Sequence, residues 1–376
     1  MIRLLLRRIV VRSESIFKAV RPFSNSNAVS ERLKIAYFGT DEFSVSSLAK
    51  LYAYKQANPD KIESIHVITR SVKSRGRKSK TFDDLPIGNY CAGRGDLPVI
   101  RADSLEEIKS ILDNHRFNLT VAVSYGKLIP RLFLESCIFG GLNVHPSLLP
   151  RYSGSSPIQY ALINDDKFTG CTIQTLHPTK FDQGDVILRS DEIPIAQSDN
   201  FISLQLKLGD LGGNLLLKVI DEDLFNQEPS EVKDSSKYEF SLASKITSSR
   251  NQILWNQMTA RQIKRLSDAL GPLHTYKLVD IVKKKQSIKE LQKVIIIGVT
   301  EIPNFDVNGL QKPGLFSLNA DKSILVIKTA DGYIAPKSLK FQCCKEEVPL
   351  EFMRSLYRRC GSTPDEFVSL DTDLSA

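Results

Sequence analysis

GGLNVHPSLLPRYSGSSPIQY, residues 140–160, is the stretch on which the reading of this chain turns. It places an amide and an imidazole two residues apart, Asn143 and His145, in a segment whose pattern predicts a strand. Side chains at i and i+2 of a strand share a face, so the two aim the same way while Val144 turns into a core. Pro146 lacks the backbone donor that strand pairing needs, so the chain leaves the sheet there. Open α/β sheets hold their ligands outside the carboxyl ends of their strands.

Further on, FDQGDVI (residues 181–187) offers a carboxylate, Asp182. Each part alone is weak: a single His is usually packed or solvated, and Asp182-Gln183-Gly184-Asp185 reads equally well as a turn into the strand Val186-Ile187-Leu188. The order NVHPSLLP, SSPIQ opening a helix, the strand CTIQTLH and then FDQGD is what joins them. An amide that steadies a developing oxyanion, an imidazole that handles a proton and a carboxylate that orients it are the parts of an acyl or formyl transfer site.

Outward from this stretch the chain alternates. Residues 34–38 and 64–68 read as strands around a helix from about Glu42 to Tyr54, and a helix over 104–115 precedes a strand over 119–123. A short helix near 130–135 leads into a strand over 142–144. Alternating strands and helices predict an α/β fold with a doubly wound, mostly parallel sheet. Gly39 makes a tight strand-to-helix turn, and no G-x-G-x-x-G follows, which excludes a dinucleotide fingerprint. Residues 201–220 close this part with an amphipathic helix whose Gly209, Gly212 and Gly213 weaken it but permit close packing.

A polar stretch around Pro229 reads as a linker. Short strands then follow: LHTYKLVDIV, KVIIIGV, GLFSLN, SILVIKTA and GYIAPKSLKF, with a hairpin signal at Asp331-Gly332. Helices are expected over 263–270 and 349–357, and the strands suggest a small barrel. The expected division is 1–30 a leader, 31–222 an N-terminal domain, 223–239 a linker and 240–376 a C-terminal domain.

Residues 1–30 hold Arg3, Arg7, Arg8, Arg12, Lys18 and Arg21 against one acid, Glu14, and so carry five of the chain's eight net positive charges. Arginines interleaved with apolar residues and followed by Ser and Asn form the pattern of a mitochondrial transit peptide, which implies the matrix. The six cysteines contain no C-x-x-C pair, which argues for unpaired thiols and against a metal site. No stretch approaches the roughly 20 apolar residues that span a bilayer. TRSVKSRGRKSKT, residues 69–81, carries Arg70, Lys73, Arg75, Arg77, Lys78 and Lys80 and no acid. It leaves the second strand at the edge of the expected site, and its small residues suit a segment that orders on a phosphate backbone.

NVHPSLLPRYSG and FDQGDVI resemble the folate-dependent formyltransferases, which use 10-formyltetrahydrofolate. The resemblance implies that Asn143, His145 and Asp182 are catalytic. It implies that Ser147, Leu148, Leu149 and Pro150 line the folate site, and that Tyr125 and Gly126, in VAVSYGKLIP, flank the pterin. LKIAYFGTDEFSVSSLAKL, residues 33–51, is similar to the FxGTxxF start of the tRNA-formylating branch: Gly39, Thr40 and Phe43 match, and Tyr37 replaces the first Phe. For that branch the resemblance implies initiator methionyl-tRNA as acceptor, the basic insertion on the acceptor end of the tRNA, and an OB-like C-terminal barrel that contacts it. The key Arg of the insertion best matches Arg75, with Arg77 one register away. Lys283, Lys284, Lys285, Lys337 and Lys340 offer further phosphate contacts. Ser153 departs from the branch, standing where its bacterial members carry a basic residue. A monomer without a metal or membrane is expected. Two other functions fit the same trio: hydrolysis of the formyl donor, and a non-catalytic RNA-binding or assembly protein on this fold.

Overall fold

A computed structural model describes residues 31–74, 82–227, 237–283, 286–302 and 310–370. The leader and Arg75, Arg77, Lys78, Lys80, Lys284 and Lys285 lie outside the described residues.

A seven-stranded sheet organises the N-terminal part, in the order Val186–Arg189, Thr172–Thr175, Gly141–His145, Leu119–Val123, Leu33–Gly39, Ile62–Thr69, Val99–Arg101. The last five strands of that order run parallel. Thr172–Thr175 is antiparallel to Gly141–His145, and Val186–Arg189 is antiparallel to Thr172–Thr175. The central strands are near-continuous apolar runs because helices cover both faces: Leu119–Val123 is buried at every residue. The order reverses beside Leu33–Gly39, which creates the crevice where doubly wound sheets bind ligands.

Local chemistry fixes the helix starts. Asp41 caps helix Glu42–Ala57 by accepting the Ser44 N–H at 3.1 Å, and Ser104 with Glu107 forms a capping box on Leu105–Asn114. Asn200 and Ser203 do the same for Phe201–Asp221. That last helix lies against the strand carrying Asn143 and His145, and its glycines set the distance. A Cβ at Gly212 would stand 2.8 Å from Val144 Cγ1, and one at Gly209 would stand 2.7 Å from Ser46 Cβ. The close packing expected of these glycines is therefore what seats the strand.

Two apolar clusters cover the two faces of the sheet. One contains Tyr37, Phe43, Val144, Ile158 and Leu208. The other contains Phe38, Ala122, Tyr125, Ile129 and Leu134.

The C-terminal part is a six-stranded antiparallel sheet in the order Phe316–Leu318, Leu325–Lys328, Tyr333–Phe341, Gln286–Ile302, Leu273–Lys283, Phe367–Val368. Its two edges are joined where Phe316 N–H donates to Asp365 O at 2.9 Å and Phe367 N–H to Gly314 O at 2.8 Å. Trp255, the only tryptophan, stacks on Phe367 in a core of its own. Strand Gln286–Ile302 starts well before the expected KVIIIGV. Its polar first half pairs only with Leu273–Lys283 beyond the core, as a hairpin arm, so it lacks the apolar alternation that marks a strand in sequence. Helices Ala260–Leu270 and Pro349–Cys360 flank the sheet. None of the described helices is long and apolar enough to cross a membrane.

Candidate active site

Strand Gly141–His145 reaches one residue further at each end than its sequence pattern suggested, which keeps His145 in register opposite Thr172 and Asn143 opposite Gln174. The chain then turns through Pro146–Pro150. This turn is locked from behind: the Thr172 hydroxyl donates to Ser147 O at 2.7 Å and accepts the Leu149 N–H at 3.0 Å, and Arg189 Nε donates to Leu149 O at 2.8 Å.

Asp182 arrives on the hairpin between Thr172–Thr175 and Val186–Arg189. Thr175 N–H donates to Asp185 O at 2.9 Å and Asp185 N–H to Thr175 Oγ1 at 2.8 Å. Gly184 is required there, since a Cβ would lie 1.7 Å from the Thr175 carbonyl oxygen. Asp182 itself takes a left-handed backbone, φ 50°, which Asp tolerates better than most residues.

Its carboxylate is the hub of the site. Oδ1 accepts from Asn143 Nδ2 at 3.3 Å and Gln174 Nε2 at 3.2 Å, and stands 3.4 Å from His145 Nδ1. Oδ2 accepts the Gly154 N–H at 2.7 Å. The other imidazole nitrogen, Nε2, lies 3.0 Å from the Tyr152 carbonyl, which can only accept, so Nε2 carries a proton. Both side chains are deeply buried, His145 at 6% exposed and Asp182 at 8%. Asn143 remains partly exposed and keeps a second amide proton free to meet a bound oxygen.

These groups open onto a cavity of about 690 Å³ that straddles the carboxyl edge of the sheet. Its lining takes Tyr125, Ile129 and Leu134 from one apolar cluster and Phe43, Ile158 and Phe201 from the other, and Gly126 also lines it. Thr40 ties the first strand's turn to this edge by donating to Ser124 O at 2.6 Å. Burial pushes the Tyr125 phenol up to about 12, helped by the charge of Asp103. Burial also raises the Asp41 carboxyl above the ordinary range, although the Ser44 N–H opposes it.

The predicted residues divide. Asn143, His145 and Asp182 meet, and Tyr125 and Gly126 line the cavity. Ser147, Leu148, Leu149 and Pro150 do not line it: the cavity wall passes from Pro146 to Ser153, and the turn between them is packed behind. Arg70 follows strand Ile62–Thr69, and Lys73 belongs to a short ribbon, Lys73–Ser74 paired with Phe82–Asp83. Lys337 is exposed on the C-terminal sheet.

Sequence reasoning missed Gln174 and residues 240–244. Gln174 lies two residues from Thr172 on one strand face, so parity could have flagged it, but its place opposite Asn143 needs the antiparallel pairing. Residues Phe240, Leu242 and Ser244, expected within the C-terminal domain, line the cavity.

The pattern of the formyl transferase family matches residues 33–220, half of the chain, which supply the cavity lining apart from Phe240, Leu242 and Ser244. The mitochondrial methionyl-tRNA formyltransferase of Saccharomyces cerevisiae is 31% identical over 92% of this chain and 95% of its own. The human mitochondrial methionyl-tRNA formyltransferase is 29% identical over 81% of this chain and 74% of its own. Among solved structures, HypX from Aquifex aeolicus superposes with a TM-score of 0.55 at 13% identity, covering 87% of this chain. This chain spans about half of that protein, 48% of its length, and the likeness is one of fold. Another HypX structure, in complex with tetrahydrofolic acid, superposes with a TM-score of 0.53. With a shared sequence pattern across the catalytic sheet and a relative that aligns almost end to end, this chain belongs to the formyl transferase family.

Proposed function

We propose that this chain transfers the formyl group of 10-formyltetrahydrofolate to the α-amine of initiator methionyl-tRNA for translation in mitochondria. The observation that carries the reading is the gathering of Asn143, His145 and Gln174 around the Asp182 carboxylate at the rim of one cavity. Family membership and a likeness to mitochondrial methionyl-tRNA formyltransferases over most of both chains support the acceptor and the organelle.

The cavity suits the donor. Its volume falls within the roughly 300–1,000 Å³ of small-molecule sites, Tyr125, Ile129 and Leu134 give it an apolar wall, and Gln174 Oε1 is buried with no partner of its own. Bound 10-formyltetrahydrofolate supplies the formyl carbon. Asn143 then donates its free amide proton to the formyl oxygen, where charge develops as the amine attacks. With its Nε2 proton held by the Tyr152 carbonyl, His145 takes the proton of the incoming amine on Nδ1, where Asp182 stabilises the charge, and returns it to the departing nitrogen. Asp182 holds both side chains in this orientation, and Gln174 and Gly154 hold Asp182. Ser147, Leu148, Leu149 and Pro150 serve by fixing the turn from which the rim rises.

Arg70, Lys73, Arg75, Arg77, Lys78 and Lys80 form the loop that meets the tRNA phosphates, with Arg75 or Arg77 as the key contact. Residues 31–222 constitute the catalytic domain and 240–376 an OB-like domain that adds to tRNA binding, with Lys283, Lys284, Lys285, Lys337 and Lys340 on it. Residues 1–30 direct the chain to the matrix, where it acts as a monomer.

Purified protein incubated with labelled 10-formyltetrahydrofolate, with and without charged initiator tRNA, tests the reading. Label on methionyl-tRNA is the expected result. Free formate alone would identify a hydrolase, and no turnover would identify a binding protein; either overturns the proposal.

A further inference from the structure

Residues 240–244 run beside the loop that holds the catalytic pair, and their alternation separates two roles. Phe240, Leu242 and Ser244 face the cavity, whereas Ser241 and Ala243 face the loop. Ser153 N–H donates to Ser241 O at 2.9 Å, Ala243 N–H to Ser153 O at 2.7 Å, and Ser156 N–H to Ala243 O at 3.1 Å. The Ser241 hydroxyl accepts the Tyr152 N–H at 2.9 Å. The segment thus runs parallel to residues 152–156, with one isolated bridge between Ser153 and Leu242.

The loop it grips is the one whose backbone reaches the catalytic groups. The Tyr152 carbonyl takes the His145 Nε2 proton, and the Gly154 N–H holds Asp182 Oδ2. Tyr152 has φ 58°, a backbone that a residue with a side chain adopts only under constraint, whereas Gly154 takes φ 129° freely because it lacks one. The Tyr152 peptides must be held from outside. No side chain could replace the contact at Gly154, because a Cβ there would stand 2.5 Å from Ala243 O. The far side of Tyr152 is fastened as well: its hydroxyl donates to Asp166 Oδ2 at 2.8 Å and accepts from Asn164 Nδ2 at 2.8 Å.

We infer that Ser241 is a positioning residue for formyl transfer: its hydroxyl holds the Tyr152 N–H and its carbonyl holds the Ser153 N–H, so both peptides flanking Tyr152 are fixed and the Tyr152 carbonyl keeps the His145 ring in place. The segment between the two folded parts is then a component of the catalytic centre and not only a tether. This inference rests on the formyl-transfer reading, and wild-type turnover is measured first so that the two can fail separately.

The test compares Ser241→Ala and Ser241→Thr in the full chain, with enzyme concentration set by active-site titration. Removing one net hydrogen bond that acts only through His145 should lower kcat about 3- to 10-fold. KM for the folate donor and for charged tRNA should stay unchanged, and the melting temperature should stay close to that of the wild type. Ser241→Thr keeps the acceptor oxygen and should restore kcat. A merely structural role would lower stability or the active fraction and leave kcat per active site intact. Wild-type activity together with an unchanged kcat in Ser241→Ala overturns the inference, as does a loss confined to the KM for tRNA. Failure of Ser241→Thr to recover also overturns it. An inactive wild type overturns the formyl-transfer reading instead.

Discussion

Replacing Asp182 by Asn tests the hub of the site with little disturbance elsewhere. Shape is kept, and Asn tolerates the left-handed backbone at φ 50° about as well as Asp does. What changes is that one acceptor oxygen becomes a donor. With the amide oxygen turned toward Asn143, Gln174 and His145, the new NH2 confronts the Gly154 N–H across a 2.7 Å contact. Turned the other way, it confronts two amide donors. A hydrogen bond to a charged acceptor is worth about 1.5–3 kcal/mol, and every orientation loses at least one such bond and the charge that holds the others. A loss of about 3–4 kcal/mol in transition-state stabilisation corresponds to roughly 100- to 1000-fold in kcat. Single-turnover formylation with saturating labelled donor and charged tRNA reads this step directly. The donor affinity should change little, because the carboxylate orients Asn143 and His145 and need not contact the folate. Asp182→Ala should be as inactive, with added backbone strain of about 1–2 kcal/mol that clouds its interpretation. An Asp182→Asn enzyme turning over within about threefold of the wild type would refute the assignment.

Asp165 predicts a pH dependence. Arg261 first, and then Arg265, hold its carboxyl well below the usual range, through contacts of 2.7, 3.0 and 2.8 Å. A depressed carboxyl stabilises the fold above its unfolded value of about 3.9, and that contribution is lost as pH falls through and below this value. Asp165→Asn should cost about 1.5–3 kcal/mol at neutral pH, the range for hydrogen bonds to a charged group, because Asp165 is only half-buried and Asp268 and the carbonyls of Asp199 and Ala196 still hold Arg265. Urea unfolding followed by the fluorescence of Trp255 should show that deficit shrinking below about pH 4; a deficit constant with pH would contradict the argument. For the basic loop, replacing Arg75, Arg77 and Lys78 together by Ala should reduce the salt slope of tRNA binding by about two, at roughly 0.7–0.9 per phosphate contact. An unchanged slope would remove the loop from the RNA interface.

Legibility followed the range of the interactions involved. Pairs such as Ser104 with Glu107 and Asn200 with Ser203 mark helix starts because the bonds close within a few residues. The spacing of Asn143 and His145 gave their common direction for the same reason. Gln174 escaped notice because Thr172–Thr175 runs against its neighbour within an otherwise parallel pattern, and direction of pairing leaves no mark in a four-residue strand. The turn Ser147–Pro150 carried the right motif, but only packing against Thr172 and Arg189 shows that it lies behind the cavity wall.

By itself, the sequence determined the alternating α/β fold, the run of short strands in the C-terminal part, and the amide, imidazole and carboxylate that meet at the cavity, since residue type and short-range period carry that information. Tertiary structure alone decided that one carboxylate binds Asn143, Gln174 and the Gly154 backbone together, and that Ser241, 98 residues beyond Asn143, grips the loop on which His145 leans. Those contacts join segments far apart in the chain, and the energy that selects them comes from strand pairing and packing between those segments, which no local pattern of residues encodes.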